Sequence, residues 1–153
     1  MIQPKVVLEI GTFTGYSAIC LAEGLAENGK LITIDINEEL ENFAKKYFVK
    51  AGLENAIEQR IGDATKIIPE INEELDLVFI DADKANYANY YDMVLPMLKT
   101  GGYIIADNVL WSGKILEDYE KCDVDTKALI DFNKKVQEDD SVQNVLFPIR
   151  DGI

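Results

Sequence analysis

The chain has 153 residues, enough for one domain with a real core, and its 15 Lys plus Arg against 28 Asp plus Glu leave a formal charge of −13. It contains no histidine, which excludes a Ser-His-Asp triad, a Cys-His pair, a histidine-bearing zinc site and a histidine pH switch. The acidic balance also argues against nucleic acid or an anionic membrane as main partner, since both are held through Lys and Arg.

In chain order, short apolar runs alternate with amphipathic stretches. Val6-Val7-Leu8-Glu9-Ile10 reads as a buried strand stopped by Gly11, and residues 15–28 as a helix ending at Asn28-Gly29. Leu31-Ile32-Thr33-Ile34 is a second strand closed by Asp35. Leu40, Phe43, Ala44, Tyr47, Phe48 and Ala51 then fall at spacings of three and four, a helical face stopped by Gly52. Residues 56–61 alternate as a strand, and 64–74 predict a short helix carrying Pro69. Leu75–Ile80 is a fourth strand ending in Asp81. Tyr87, Tyr90, Tyr91, Val94, Leu95 and Leu98 mark a packed helix face that stops at Gly101-Gly102. Tyr103-Ile104-Ile105-Ala106 is a fifth strand, 109–122 mostly loop, 123–139 a helix with Leu129, Phe132 and Val136 inward, and 142–149 a sixth strand.

Strict alternation of strands and helices implies an α/β fold, one doubly wound domain over 1–153 with a mainly parallel sheet and helices on both faces. Cys20 and Cys122 form no CxxC and read as reduced thiols, Cys20 buried on its helix. No signal peptide and no apolar span are visible, so the expectation is a cytoplasmic protein without membrane contact. Asp151-Gly152 after the sixth strand is a hairpin signal with one residue following it. The expectation is a chain lacking its final antiparallel strand, and a fragment of something longer.

Two places carry chemistry. The first is Glu9-Ile10-Gly11-Thr12-Phe13-Thr14-Gly15-Tyr16-Ser17, at the first strand-to-helix turn, where open α/β sheets bind ligands. It is neither a P-loop nor G-x-G-x-x-G. A glycine at position 11 lets a ligand approach the backbone, and Asp35, at the tip of the neighbouring strand, suits a pair of ribose hydroxyls. Asp63-Ala64, after the third strand, is placed to meet an adenine ring. Singly these features are equally a tight turn and a helix cap. Together with Glu9, an acid inside an apolar strand, they point to a nucleoside ligand.

These residues carry a resemblance. Val7 to Ser17, with Ile34-Asp35 and Gly62-Asp63-Ala64, resembles the S-adenosylmethionine site of class I methyltransferases, and more narrowly that of the cation-dependent O-methyltransferases, which include caffeoyl-CoA and catechol O-methyltransferases. The resemblance implies a Rossmann-like methyltransferase sheet, with the family's N-terminal helices absent from this chain. It implies that Glu9, Gly11, Thr12, Ser17, Asp35, Ala64 and Asp81 line the methyl-donor pocket.

The second place is Asp81-Ala82-Asp83-Lys84 and Asp107-Asn108, which end two successive strands. If those strands are neighbours, Asp81, Asp107 and the Asn108 amide oxygen converge, a set of hard oxygens suited to Mg²⁺, Mn²⁺ or Ca²⁺. Asp83 reads as a helix cap. The resemblance agrees on Asp81, Asp107 and Asn108 as metal ligands and implies that Lys84 is the general base. A divalent neighbour would disfavour the Lys84 ammonium and free a neutral amine. Trp111 and Ser112 are expected to wall an acceptor site.

The resulting expectation is methyl transfer to a catechol-like small molecule with vicinal hydroxyls, Asp81 and Lys84 being the catalytic pair, in a homodimer. A tRNA 5-hydroxyuridine methyltransferase is the nearest rival, disfavoured by the charge. A nicotinamide-dependent oxidoreductase and a non-catalytic nucleoside-binding module are further ones.

Overall fold

A computed structural model of the chain describes residues 2–153; Met1, the first residue of the expected domain, lies outside it. Val6–Ile10 (β1), Lys30–Asp35 (β2), Ile57–Ile61 (β3), Leu75–Ile80 (β4) and Leu98–Ala106 (β5) form one sheet in the order β3-β2-β1-β4-β5. All pairings are parallel. The helices Tyr16–Glu23 (α1), Glu41–Ala51 (α2), Ala64–Ile67 (α3), Tyr87–Val94 (α4) and Val124–Gln137 (α5) alternate with the strands or follow them. The doubly wound α/β architecture is therefore present.

Its physical basis is burial on both faces of the central strands. Successive side chains of a strand point to opposite faces, so an unbroken apolar run needs cover on both. Leu8, Ile10, Ile32, Ile34, Val78 and Ile80 join one core with Tyr87, Tyr90, Leu129 and Phe132. Val7, Leu31 and Leu77 point the other way, onto Ala18, Ala22, Ala44 and Phe48. Gly52, with φ +72°, terminates α2, and the Asp63 and Asp123 side chains accept from Thr65 N and Thr126 N to start α3 and α5.

The chain leaves β1 for β2 on one side and later returns to β4 on the other. β1 is thus the strand where the order reverses, and a crevice opens beyond its tip and that of β4.

Several elements differ from the sequence reading. The first helix ends at Glu23 rather than near 28. Its inward positions are Ala18 and Ala22, four apart, which turns Cys20, midway between them, outward and exposed. The 64–74 stretch makes one α turn and then a 3₁₀ turn over Ile68–Glu70, because Pro69 has no amide hydrogen to continue the ladder. Gly101 and Gly102 do not end an element but lie inside β5, next to an irregularity in its register with β4.

The expected sixth strand over 142–149 is not formed. β-propensity alone does not make a strand: the segment has no ladder partner, and Val145, Leu146, Phe147 and Ile149 are exposed. The Asp151-Gly152 turn does form: Phe147 and Ile153 exchange two backbone hydrogen bonds around it, at 2.8 and 3.0 Å. Among the described residues, no helix is long and apolar enough to cross a membrane.

Candidate active site

The β1 turn is held by its neighbours. Gly11 N and Thr12 N both donate to Ile34 O, at 2.9 and 3.2 Å, while Asp81 N donates to Ile10 O at 2.9 Å. Gly11 has φ +109°, and a Cβ there would stand 1.9 Å from the Asp81 carbonyl oxygen. The β4 backbone therefore approaches Gly11 closely, a reason for glycine that the sequence did not show; glycine is required for the two strand tips to meet.

Asp35 ends β2 and accepts from Phe13 N at 2.6 Å and from Asn37 N at 2.8 Å. It fixes the loop after β1 against β2, and each of its oxygens keeps a lone pair for a ligand. The capping role falls to Asn37, whose side chain accepts from Glu39 N at 3.0 Å.

Glu9 is fully buried beneath this turn. One carboxylate oxygen accepts from the Thr33 hydroxyl, which in turn contacts the Thr12 hydroxyl; since Thr33 has a single hydrogen, Thr12 is the donor to it. The other oxygen, Oε1, has no hydrogen-bond partner. Burial raises the Glu9 carboxyl from 4.5 to about 7, and the Asp81 and Asp35 charges add to that. The Thr33 hydrogen bond opposes the rise, as does the nearby Ser17 hydroxyl, which favours the charged form without reaching Oε1 in hydrogen-bond geometry.

At the tips of β4 and β5, adjacent as the convergence of their acids required, the Lys84 side chain is buried. Its Nζ lies 3.2 Å from Asp81 Oδ1 and 3.0 Å from Asn108 Oδ1, and it also donates to the Tyr87 hydroxyl. That hydroxyl is aimed at the carbonyl oxygens of Ile80 and Asp107. Burial, and then the charges of Asp81 and Asp107, push the Tyr87 phenol far above its ordinary range, so it stays protonated. Asp107 Oδ1 accepts from Asn108 N at 2.7 Å, and Asn108 sits in the left-handed region at φ +63°. Among the described residues, no three His, Cys, Asp or Glu stand together as a metal cluster; the candidate set is two carboxylates and an amide.

A cavity of about 800 Å³ opens above these tips. Gly11, Thr12, Ser17, Asp35, Ala64, Asp81 and Asp107 line it. Glu9 lies below its wall, and Lys84 and Asn108 stand beside Asp81 without lining it. Trp111 and Ser112 do not line it either, although the Trp111 ring comes within 5.7 Å of Lys84 Nζ.

Sequence reasoning missed part of the wall. Asp83 occupies the cap position before the turn Lys84–Asn86 but makes no capping bond; its oxygens take the Tyr90 hydroxyl and the Asn86 amide, and all three residues line the cavity. Tyr90 lies on the packed helix face as expected, with its polar tip emerging at the site. The spacing of seven between Asp83 and Tyr90, two helical turns, was the available signal. With Asp35, Asp63, Asp81, Asp83 and Asp107, the wall has five carboxylates and no basic side chain.

A family model described as O-methyltransferase matches residues 1–153. Caffeoyl-CoA O-methyltransferase 2 of Populus trichocarpa is 34% identical, over 100% of this chain and 66% of its own length. Two solved structures superpose with a TM-score of 0.90: the O-methyltransferase TomG from Streptomyces achromogenes in complex with SAM, at 29% identity, and the O-methyltransferase from Bacillus cereus in complex with SAH, at 30%. Each superposition covers 95% of this chain, and 67% and 68% of those chains respectively. The chain thus spans about two thirds of the length of these relatives. The chain belongs to the O-methyltransferase family.

Proposed function

We propose that this protein transfers a methyl group from S-adenosylmethionine to a hydroxyl of a catechol-like small molecule, with a divalent cation, Mg²⁺ in the first instance, at the tips of β4 and β5. The observation that carries the reading is the charge of the cavity wall. A crevice at the switch point lined by five aspartates and no basic side chain favours a cationic nucleoside, and the sulfonium and ammonium of this donor meet that demand. A nicotinamide dinucleotide would bring a pyrophosphate against the same acids. The two solved relatives named above hold this donor and its demethylated product.

The donor atoms fit a hard cation. All are oxygens, and Asp81 Oδ1 and Asn108 Oδ1 already converge on one positive charge, the Lys84 ammonium, at 3.2 and 3.0 Å. Asp81, Asp107 and Asn108 would hold the metal, which when bound lowers the cost of forming a phenolate. Asp35 would hold the ribose while its hydrogen bonds to Phe13 N and Asn37 N keep it oriented. Lys84 Nζ, once neutral, receives the acceptor hydroxyl's proton, and the Tyr87 hydroxyl holds Nζ in place. The β1 turn and the β4 tip, locked together at Gly11, keep donor and acceptor in line, which supplies much of the acceleration.

Calorimetry with S-adenosylmethionine and with NAD, each with and without Mg²⁺, combined with methyl transfer to a catechol, tests this. Binding of the former alone and turnover that needs Mg²⁺ are expected. Asp107→Ala should abolish that turnover with donor binding retained, and equal activity in excess chelator would refute the metal.

A further inference from the structure

The Asp151-Gly152 pair reads in the sequence as a hairpin turn, yet no strands flank it. The turn is instead spent on the loop that follows β5. Asp151 O accepts from Leu110 N at 2.8 Å, Gly152 O accepts from Val109 N at 3.2 Å, and the Asp151 carboxylate accepts from Ser112 N. Gly152 is buried at φ +84°, and a Cβ on it would stand 2.4 Å from Leu110 Cγ. The fit is backbone against side chain, closed by the absence of a side chain.

The loop it holds needs holding. Asn108, Trp111 and Ser112 have φ of +63°, +47° and +53°, a left-handed backbone that residues bearing a Cβ adopt only when the surroundings impose it. From the other side, the Asn133 amide donates to Val109 O at 2.8 Å. Among the described residues, the other hydrogen bonds to this loop's backbone from beyond its immediate chain neighbours come from residues 151 and 152, while Lys84 Nζ donates to the Asn108 side chain at 3.0 Å; together they hold the conformation that brings Asn108 Oδ1 beside Asp81 Oδ1 on a common cation.

We propose that the Asp151-Gly152 turn is a latch on residues 108–112, and that Asp151 is a positioning residue for the metal-ligand loop. Its side chain acts through Ser112 N, its backbone carbonyl holds Leu110 N, and neither touches the reacting atoms. The inference rests on the reading of Asn108 as a metal ligand given above. It separates Asp151 from a merely structural residue, because the loop carries a metal ligand and no part of the donor cavity's wall except Asp107 at its root. Loosening the loop therefore weakens the metal and spares the donor.

Trp111 is the only tryptophan in the chain, so its fluorescence reports on the loop. In the full chain, Asp151→Ala should shift Trp111 emission to the red, increase its quenching by iodide, and speed amide exchange at Ser112, whose N–H loses its carboxylate acceptor. Mn²⁺ affinity, read by electron paramagnetic resonance, should fall about tenfold, while S-adenosylmethionine affinity stays within about twofold. Asp151→Asn, which keeps an acceptor oxygen for Ser112 N, should recover most of the Mn²⁺ affinity. Gly152→Ala strikes the same latch through Leu110 and should repeat the Asp151→Ala pattern. Unchanged Trp111 signals and Mn²⁺ affinity in both Asp151→Ala and Gly152→Ala would overturn the latch, as would equal losses of metal and donor. A wild type that binds no Mn²⁺ would overturn the metal reading instead, and the Trp111 and exchange measurements then decide the latch alone.

Discussion

Removing the charge from Glu9 should make the protein more stable at alkaline pH and leave it little changed in acid. The carboxyl is fully buried, one oxygen lacks a partner, and its value is raised from 4.5 to about 7. The folded protein therefore binds this proton more tightly than the unfolded chain does. The stabilisation is complete below the unfolded value of 4.5 and is lost as the pH rises through 7. The difference between those two values corresponds to about 3 kcal/mol. Glu9→Gln keeps the size and an oxygen for the Thr33 hydroxyl but cannot ionise. Comparing it with the wild type cancels the titration of the groups that do not sense Glu9. The gap in stability between the two should widen in favour of the variant by about 3 kcal/mol from pH 4 to pH 8. That is about 6 to 12 °C in Tm for a domain of this size. Thermal melts of both proteins across that range, without ligand, measure it. A gap that stays constant with pH would mean that Glu9 is ionised at the same cost folded and unfolded, and the reasoning from burial would fail.

Asp35→Ala removes a charged acceptor from Phe13 N, Asn37 N and the proposed ribose; donor affinity should drop about 10- to 100-fold by calorimetry, and an unchanged affinity would cancel the ribose assignment. Lys84→Met should slow methyl transfer about 100-fold or more at saturating Mg²⁺, and an undiminished rate would show that the proton leaves by another route. Gly11→Ala places a Cβ 1.9 Å from a backbone oxygen at φ +109° and should cost about 3 kcal/mol or more, read as a lowered Tm; a melt like that of the wild type would show that the β1 and β4 tips part easily.

The elements legible in the sequence are those whose signal is local. Alternation of apolar strands with 3.6-period faces gives the doubly wound sheet, and the acids at strand tips give the rim of the crevice, because parallel strands bring their carboxyl ends to one edge of the sheet. What was illegible depends on which partner each residue meets once the chain is folded. Cys20 faces outward because α1 packs through Ala18 and Ala22, which periodicity over a short helix leaves open. Residues 142–149 have strand propensity and no ladder to join, and propensity carries no information on partners. Gly11 was read as room for a ligand, and the close approach of Asp81 O, across seventy residues, is a second demand for glycine that the sequence did not reveal. Asp83 was assigned to a cap because Asp commonly caps, whereas Tyr90 and Asn86 take both its oxygens and turn it into cavity wall.

Lys84 is where the two levels of reasoning meet. A lysine in this sequence is, taken alone, a solvated surface charge, and most lysines are. Burying its ammonium is costly unless opposite charge and acceptors replace the lost water. Here Asp81 Oδ1, Asn108 Oδ1 and the Tyr87 hydroxyl do so, with the Tyr87 and Trp111 rings at 4.5 and 5.7 Å offering their negative faces. The Asp81 and Asn108 oxygens are also proposed metal ligands, so two of the three strand-tip ligands already gather round a positive charge supplied by the chain itself. The cation side of the site was invisible to a count that gave only −13 and no histidine. A surplus of acid is compatible with catalysis at this crevice because one basic group is buried where the acids converge, and none is spent on the wall that the donor must occupy.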